Sequence, residues 1–156
     1  MFETFFLQTI FKSPIFILKK ELLKIPIFGW YLKKIKSISI NRDKIKKENL
    51  DFYEKIMISY KIMDRPIIIF PQATRVNPED RNDFKKGVSK IYNLLKLKCQ
   101  PVAINSGTVW PKSGPLVPNK TLTVSILEPI NPDLESKEFL HLLQKNIYKE
   151  LDNLNS

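Results

Sequence analysis

Residues 2–12 (FETFFLQTIFK) carry apolar side chains at helical spacing, with Glu3 in the first turn, where a carboxylate suits the helix dipole. The pattern predicts a helix ended by Pro14. Ile15 to Leu18 is a short β-branched and aromatic run, expected to be a buried strand. Residues 20–35 (KELLKIPIFGWYLKKI) read as helix broken near Pro26 and Gly29. Ser37 to Ile40 alternates polar and apolar, the mark of a half-buried strand. From Lys44 to Met63, Ile45, Leu50, Tyr53, Ile56, Met57 and Tyr60 fall on one helical stripe. Ile67 to Phe70 follows Pro66 and reads as a strand covered on both faces.

A polar loop is expected over residues 71–83, then a helix over 84–97 (FKKGVSKIYNLLKL). Val102 to Ile104 and Leu122 to Leu127 read as strands, and residues 136–154 as an amphipathic helix. On that last helix Phe139, Leu143, Ile147, Leu151 and Leu154 make the apolar stripe, leaving His141 on the outer face. Strands alternating with helices predict a single α/β domain over residues 1–156, a layered, largely parallel sheet flanked by helices. In such sheets function collects in the loops that leave the strand ends.

Composition changes this picture in two places. The 156 residues carry a formal net charge of +10, which predicts attraction to polyanions: nucleic acid, anionic lipid headgroups or phosphorylated substrates. Lys far outnumbers Arg, and Ile and Asn are abundant, a bias that adds lysines without adding function. The sequence has no helix-turn-helix, zinc-finger or RNA-recognition signature, so a nucleic-acid-binding module stands as an alternative on charge alone. A single cysteine, Cys99, excludes an internal disulfide and reads as structural rather than catalytic. Nothing reaches the roughly 18 uninterrupted apolar residues of a bilayer span. Residues 2–11 also lack the basic leader and cleavage site of a signal peptide.

The candidate chemistry sits in the loop after Phe70, which reads Phe70-Pro71-Gln72-Ala73-Thr74-Arg75. A strand-end loop offering backbone N–H groups, a Thr hydroxyl and one Arg suits a phosphate, because the guanidinium is a planar bidentate fork. Taken alone, the stretch also reads as an Arg that closes a turn. Farther along lie Pro101-Val102-Ala103-Ile104-Asn105-Ser106-Gly107 and then Trp110-Pro111. Upstream, Lys20-Glu21-Leu22 leads through Ile25-Pro26 and Phe28-Gly29 to Ile38, Ile40 and Arg42.

Together these blocks resemble the 1-acyl-glycerol-3-phosphate acyltransferases, a likeness covering about residues 1–130. The loop is similar to the Phe-Pro-Glu-Gly-Thr-Arg motif of that family, and the other two stretches resemble its fourth and second blocks. The resemblance implies transfer of a fatty acyl group from acyl-CoA or acyl carrier protein to lysophosphatidate, giving phosphatidate. It implies that Arg42 and Arg75 hold the phosphate and that Gln72 and Thr74 line the site. The sequence shows no metal cluster and no cofactor-binding glycine loop, so no metal and no cofactor are expected, and nucleic acid is not the expected partner. Lys33, Lys34, Lys36, Arg42, Lys44, Lys46 and Lys47, with Asp43 the one acid among them, read either as a solvated helix end or as the expected contact with an anionic membrane, which lipid substrates favour, peripherally at the cytoplasmic face of the inner membrane.

Departures from the pattern are specific. Gln72 stands where many members have Glu, and Ala73 replaces a Gly, a costly change if that residue needs a positive φ. Lys36 and Asn41 replace the second block's usual Gly and Asp. The family's first block is His-x4-Asp or His-x4-Glu, in which the His takes the proton of the attacking hydroxyl and the carboxylate orients the imidazole. Met1-Phe2-Glu3-Thr4 resembles the end of that block, which puts Glu3 at the carboxylate and the His on the third residue upstream of Met1. The expectation is a domain cut at its N-terminus, either by a start codon assigned too late or as a catalytically inactive remnant. Phe2, Phe5, Phe6 and Phe11 fit the interior of a longer chain.

Overall fold

The computed structural model describes residues 2–40, 48–74 and 76–155. They form two units, Met1–Phe70 and Pro71–Ser156.

The first unit is built on a parallel three-stranded sheet in the order β2-β1-β3, with β1 at Ile15–Lys19, β2 at Ile38–Ile40 and β3 at Ile67–Ile69. Ile17 stands opposite Ile38 and Ile15 opposite Ile67. Parallel neighbours need crossover connections. The first is a 3-10 helix, Lys20–Lys24, followed by α2, Phe28–Lys34; the second is α3, Glu48–Met63. The expected broken helix over 20–35 is therefore two helices. β1 is central, and Ile15, Phe16, Ile17 and Leu18 are all buried, each contributing about 1.5–3 kcal/mol of burial free energy.

β3 departs from expectation. Its three isoleucines are only half-buried, because among the described residues β3 pairs on one side only. The covered strand is β1. Helix α1, Phe2–Ile10, packs Phe5 against Phe28 and Tyr31 of α2, with ring centroids 5.5 and 4.7 Å apart. On α3 the buried positions are Phe52 and Ile56, with Tyr53, Met57 and Tyr60 half-buried. Ile45 falls outside the described residues, and the burial of Leu50 is likewise not described.

The second unit pairs β4, Val102–Ile104, with β5, Val124–Ile126, and this pair is antiparallel. A backbone bridge between Cys99 and Ile130 continues it. The parallel arrangement thus holds for three of the five strands among the described residues. α4, Gly87–Leu95, begins later than the sequence pattern predicts and ends at Lys96, whose left-handed conformation stops the helix. α5 is a single turn, Ser106–Val109. α6, Ser136–Asn155, buries Phe139, Leu143, Ile147 and Tyr148. Tyr92 of α4 stacks on Phe139 at 3.8 Å between centroids, joining the two long helices of this unit.

Candidate functional site

The motif loop begins where the second unit begins, at Pro71. Its carbonyl accepts the Lys85 N–H at 3.0 Å, which closes residues 71–85 into a loop. Inside, Asp80 and Asn77 bond to each other, Asp80 N–H to the Asn77 carbonyl at 3.0 Å and Asn77 N–H to the Asp80 carboxylate at 3.2 Å. An Asp side chain that bonds a nearby backbone N–H makes a tight turn without regular secondary structure.

Helix α6 holds this loop through a run of polar side chains. Gln72 donates its amide to the Tyr148 hydroxyl at 3.3 Å, and that hydroxyl donates to the Asn82 carbonyl at 2.6 Å. Phe84 N–H donates to the Gln144 side-chain oxygen at 3.0 Å. Arg81 forms an ion pair with Asp152 and lies over the Tyr148 ring, 5.2 Å from its centroid. Phe84 packs against the same ring at 5.2 Å. Residues 144, 148 and 152 are one helical turn apart, so a single face of α6 meets the loop.

The block after β4 reaches the loop as well. A methyl group added at Gly107 would lie 3.2 Å from the Pro78 ring, so glycine lets α5 and the loop approach. Asn105 is buried, donates to the Thr121 carbonyl at 3.1 Å and accepts from Thr123 N–H at 2.7 Å. It fastens the returning chain to the end of β4. The third and fourth sequence blocks are therefore neighbours in one unit.

The candidate residues fare differently. Gln72 is half-buried and Thr74 exposed, on the same loop. Arg75 and Arg42 lie outside the described residues. Glu3 is half-buried in the first turn of α1, in the other unit. The condition set on Ala73 is met: its φ is +64, the left-handed region that glycine occupies without penalty. Lys36, the other position where the resembled family carries glycine, has φ +59. Both sites keep the backbone that glycine serves while carrying a side chain, at a cost of about 1 kcal/mol each. Gln72 has its own logic. An amide can donate to Tyr148 and leave the phenol proton for Asn82, which an ionised Glu, an acceptor only, cannot do.

Two other residues take the places foreseen for them. His141 is exposed on α6. Cys99 lies between backbone bonds to Ile130, and burial pushes its thiol up to about 11, which keeps it protonated and unreactive near neutrality. Among the described residues no cluster of His, Cys, Asp and Glu could hold a metal ion.

Sequence reading passed over Tyr148, Gln144 and Arg65. The i, i+4 spacing of Gln144 and Tyr148 beside the apolar stripe was the signal for the first two. Arg65 donates to the carbonyls of Ser13, Pro14 and Ile35, the last two at 3.2 and 3.0 Å, and ties together the segments that flank β1 and β2. Nothing in the local pattern announces it.

Comparison with known proteins bears on both units. The family described as Acyltransferase matches residues 2–105. A 1-acyl-sn-glycerol-3-phosphate acyltransferase of Pseudomonas aeruginosa is 33% identical over 114 residues, 72% of this chain and 43% of that protein. The enzyme of the same name from Helicobacter pylori is 34% identical over 146 residues, 86% of this chain and 56% of its own. The chain thus spans about half the length of these relatives. The crystal structure of the 1-acyl-sn-glycerophosphate acyltransferase of Thermotoga maritima shares the fold, with a TM-score of 0.70 at 21% identity over 92% of this chain and 58% of that one.

Proposed function

Because this chain belongs to the acyltransferase family, we propose that it moves a fatty acyl group from acyl-CoA or acyl carrier protein to the free hydroxyl of 1-acyl-glycerol-3-phosphate, giving phosphatidate. The observation that carries this reading is the loop 71–83, fastened to α6 by Gln72 and Tyr148 and lying against Gly107. Such fastening supports an anion-binding loop that is in place before substrate arrives.

In this proposal Arg75 and Arg42 pair with the headgroup phosphate, Thr74 adds a hydroxyl contact and Gln72 lines the site. The acceptor hydroxyl loses its proton to an imidazole as its oxygen attacks the thioester carbonyl, and the thiol then leaves. Glu3 orients that imidazole. The sequence holds one histidine, His141, which is exposed on α6; the His-x4-Glu block of the resembled family would put the imidazole five positions before Glu3. Both units serve one acyltransferase domain in this reading. The acceptor and product are bilayer lipids, so the reaction runs at an anionic membrane surface, peripherally, on the cytoplasmic face of the inner membrane. Lys33 to Lys47 lies against it, with 41–47 outside the described residues. A second reading, a chain that keeps the phosphate site without turnover, is favoured by the side chains carried at positive φ on Ala73 and Lys36.

The test follows phosphatidate formation by mass spectrometry from lysophosphatidate with either thioester. Residues 1–156 are compared with a version extended so that a His stands five residues before Glu3. The extended protein should be about 10²–10⁴-fold faster, the usual worth of a positioned general base. Equal rates would remove the role assigned to the imidazole. Inactivity of both versions would favour the second reading.

A further inference from the structure

Helix α2 has two faces that differ sharply. On one, Phe28, Gly29 and Leu32 are buried. A Cβ added at Gly29 would meet the Leu23 carbonyl oxygen at 2.1 Å, so the helix lies directly on the backbone of the 3-10 helix and cannot roll. The opposite face is set by Trp30 and Lys34, one helical turn apart, with Ile27 just ahead of the helix. Ile27 at its start is 85% exposed and Trp30 is 65% exposed. The Lys34 ammonium sits 4.9 Å from the centroid of the Trp30 ring.

Ile27 is also strained. Its φ of +64 and ψ of −56 put a β-branched side chain in a region such residues avoid, and that side chain is exposed to solvent. Two large apolar groups are thus held outward by a helix that is locked in rotation. The charge around them is one-sided. Lys20, Lys24, Lys33, Lys34 and Lys36 are all exposed, and Glu21 is the one acid between residues 20 and 36.

We infer that the α2 face carrying Ile27, Trp30 and Lys34 is a wedge that docks on an anionic bilayer, with Ile27 and Trp30 in the headgroup layer and the lysines on lipid phosphates. The indole of Trp, apolar with one N–H donor, is a side chain that favours this layer. A stretch with five exposed lysines and one acid is complementary to anionic lipid. The choice of a bilayer rests on the proposed lipid acceptor, but docking is measured without acyl transfer.

The experiment uses the full 156-residue chain with Trp110→Phe, which leaves Trp30 as the sole indole. Vesicles of phosphatidylcholine with and without 30% phosphatidylglycerol are titrated at low and high salt. Binding should require the anionic lipid, weaken with salt and shift the Trp30 emission to the blue. Lys33→Glu with Lys34→Glu should weaken it at least about 10-fold, since each basic residue contributes about a factor of five. Ile27→Gly relieves the strained φ, so it should raise the melting temperature while weakening vesicle binding about 10-fold. A purely structural role for Ile27 would not separate those two readouts.

Undiminished binding by Ile27→Gly and by the double lysine variant would overturn the wedge, as would equal binding to neutral vesicles. So would self-association, seen in sedimentation, that the same variants abolish. Failure here with phosphatidate still formed from detergent-dispersed lysophosphatidate would leave the proposed activity standing and remove only the docking face.

Discussion

The units Met1–Phe70 and Pro71–Ser156 are held together by different means. In the first, a buried central strand with parallel partners on both sides does most of the work, and Arg65 closes the ends. In the second, the strands are a short antiparallel pair, and the motif loop is kept in place by polar side chains that α6 provides. Apolar burial is tolerant of small changes in detail, whereas a hydrogen-bonded loop depends on each donor. The contrast teaches where mutation should affect stability and where it should affect recognition.

The sharpest way to break the comparison is at Arg65. Arg65→Ala leaves the carbonyls of Ser13, Pro14 and Ile35 without their donor, and bonds to a charged group contribute about 1.5–3 kcal/mol each. Arg65 is half-buried, so water re-pairs part of what is freed, and chemical denaturation should show a loss of about 3 kcal/mol, below the sum of the three bonds. Arg65→Lys should recover only part of it, because an ammonium does not reproduce the fork.

Cys99 probes the second unit. With its thiol pushed from an ordinary 9.0 to about 11, the thiolate fraction at pH 7.5 is lowered about 100-fold. Iodoacetamide should alkylate the folded protein about that much more slowly than the denatured chain. The sign for stability follows from the raised value: stability is fully present below pH 9 and is lost as pH rises through 11. Alkylation at the denatured rate would mean that the Cys99–Ile130 bridge opens freely.

Tyr148→Phe removes the hydroxyl that links Gln72 and Asn82 while keeping the ring against Phe84. It should cost about 1 kcal/mol. Amide exchange should quicken in residues 71–83 and stay unchanged in β1. Uniform quickening in both units would erase the distinction drawn between them. A still smaller effect, of opposite sign, is expected at the two left-handed positions. Ala73→Gly and Lys36→Gly should each stabilise by up to about 1 kcal/mol, read as a higher denaturation midpoint.

These residues also mark what the amino-acid pattern reveals. β1, β4 and α6 were legible because burial writes itself into neighbouring positions: four apolar residues in a row, or a stripe every third or fourth. The motif loop was legible as a loop, and the concern over Ala73 was well placed. The half-burial of β3 was hidden, since Ile67 to Ile69 reads the same whether a strand is central or at an edge. The antiparallel sense of β4 and β5 was hidden too, because two short strands joined by a long connection carry no local mark of direction. The partners of Gln72 and Arg65 were out of reach for a plainer reason. They lie 76 residues away for Gln72 and 30, 51 and 52 residues away for Arg65, and periodicity speaks only of near neighbours.

The central claim is that the loop after Phe70 recognises a lipid phosphate, and calorimetric titration addresses it without requiring turnover. A short-chain lysophosphatidate and the matching monoacylglycerol, which lacks the phosphate, are titrated into the chain and into Arg75→Ala. The account predicts that the phosphate-bearing lipid binds at least about 10-fold more tightly than its neutral counterpart, as one charged bidentate contact would give. It predicts that Arg75→Ala reduces this preference several-fold, leaving what Arg42 supplies, with an unchanged melting temperature. Equal affinity for the two lipids, or a preference undiminished in Arg75→Ala, would contradict it.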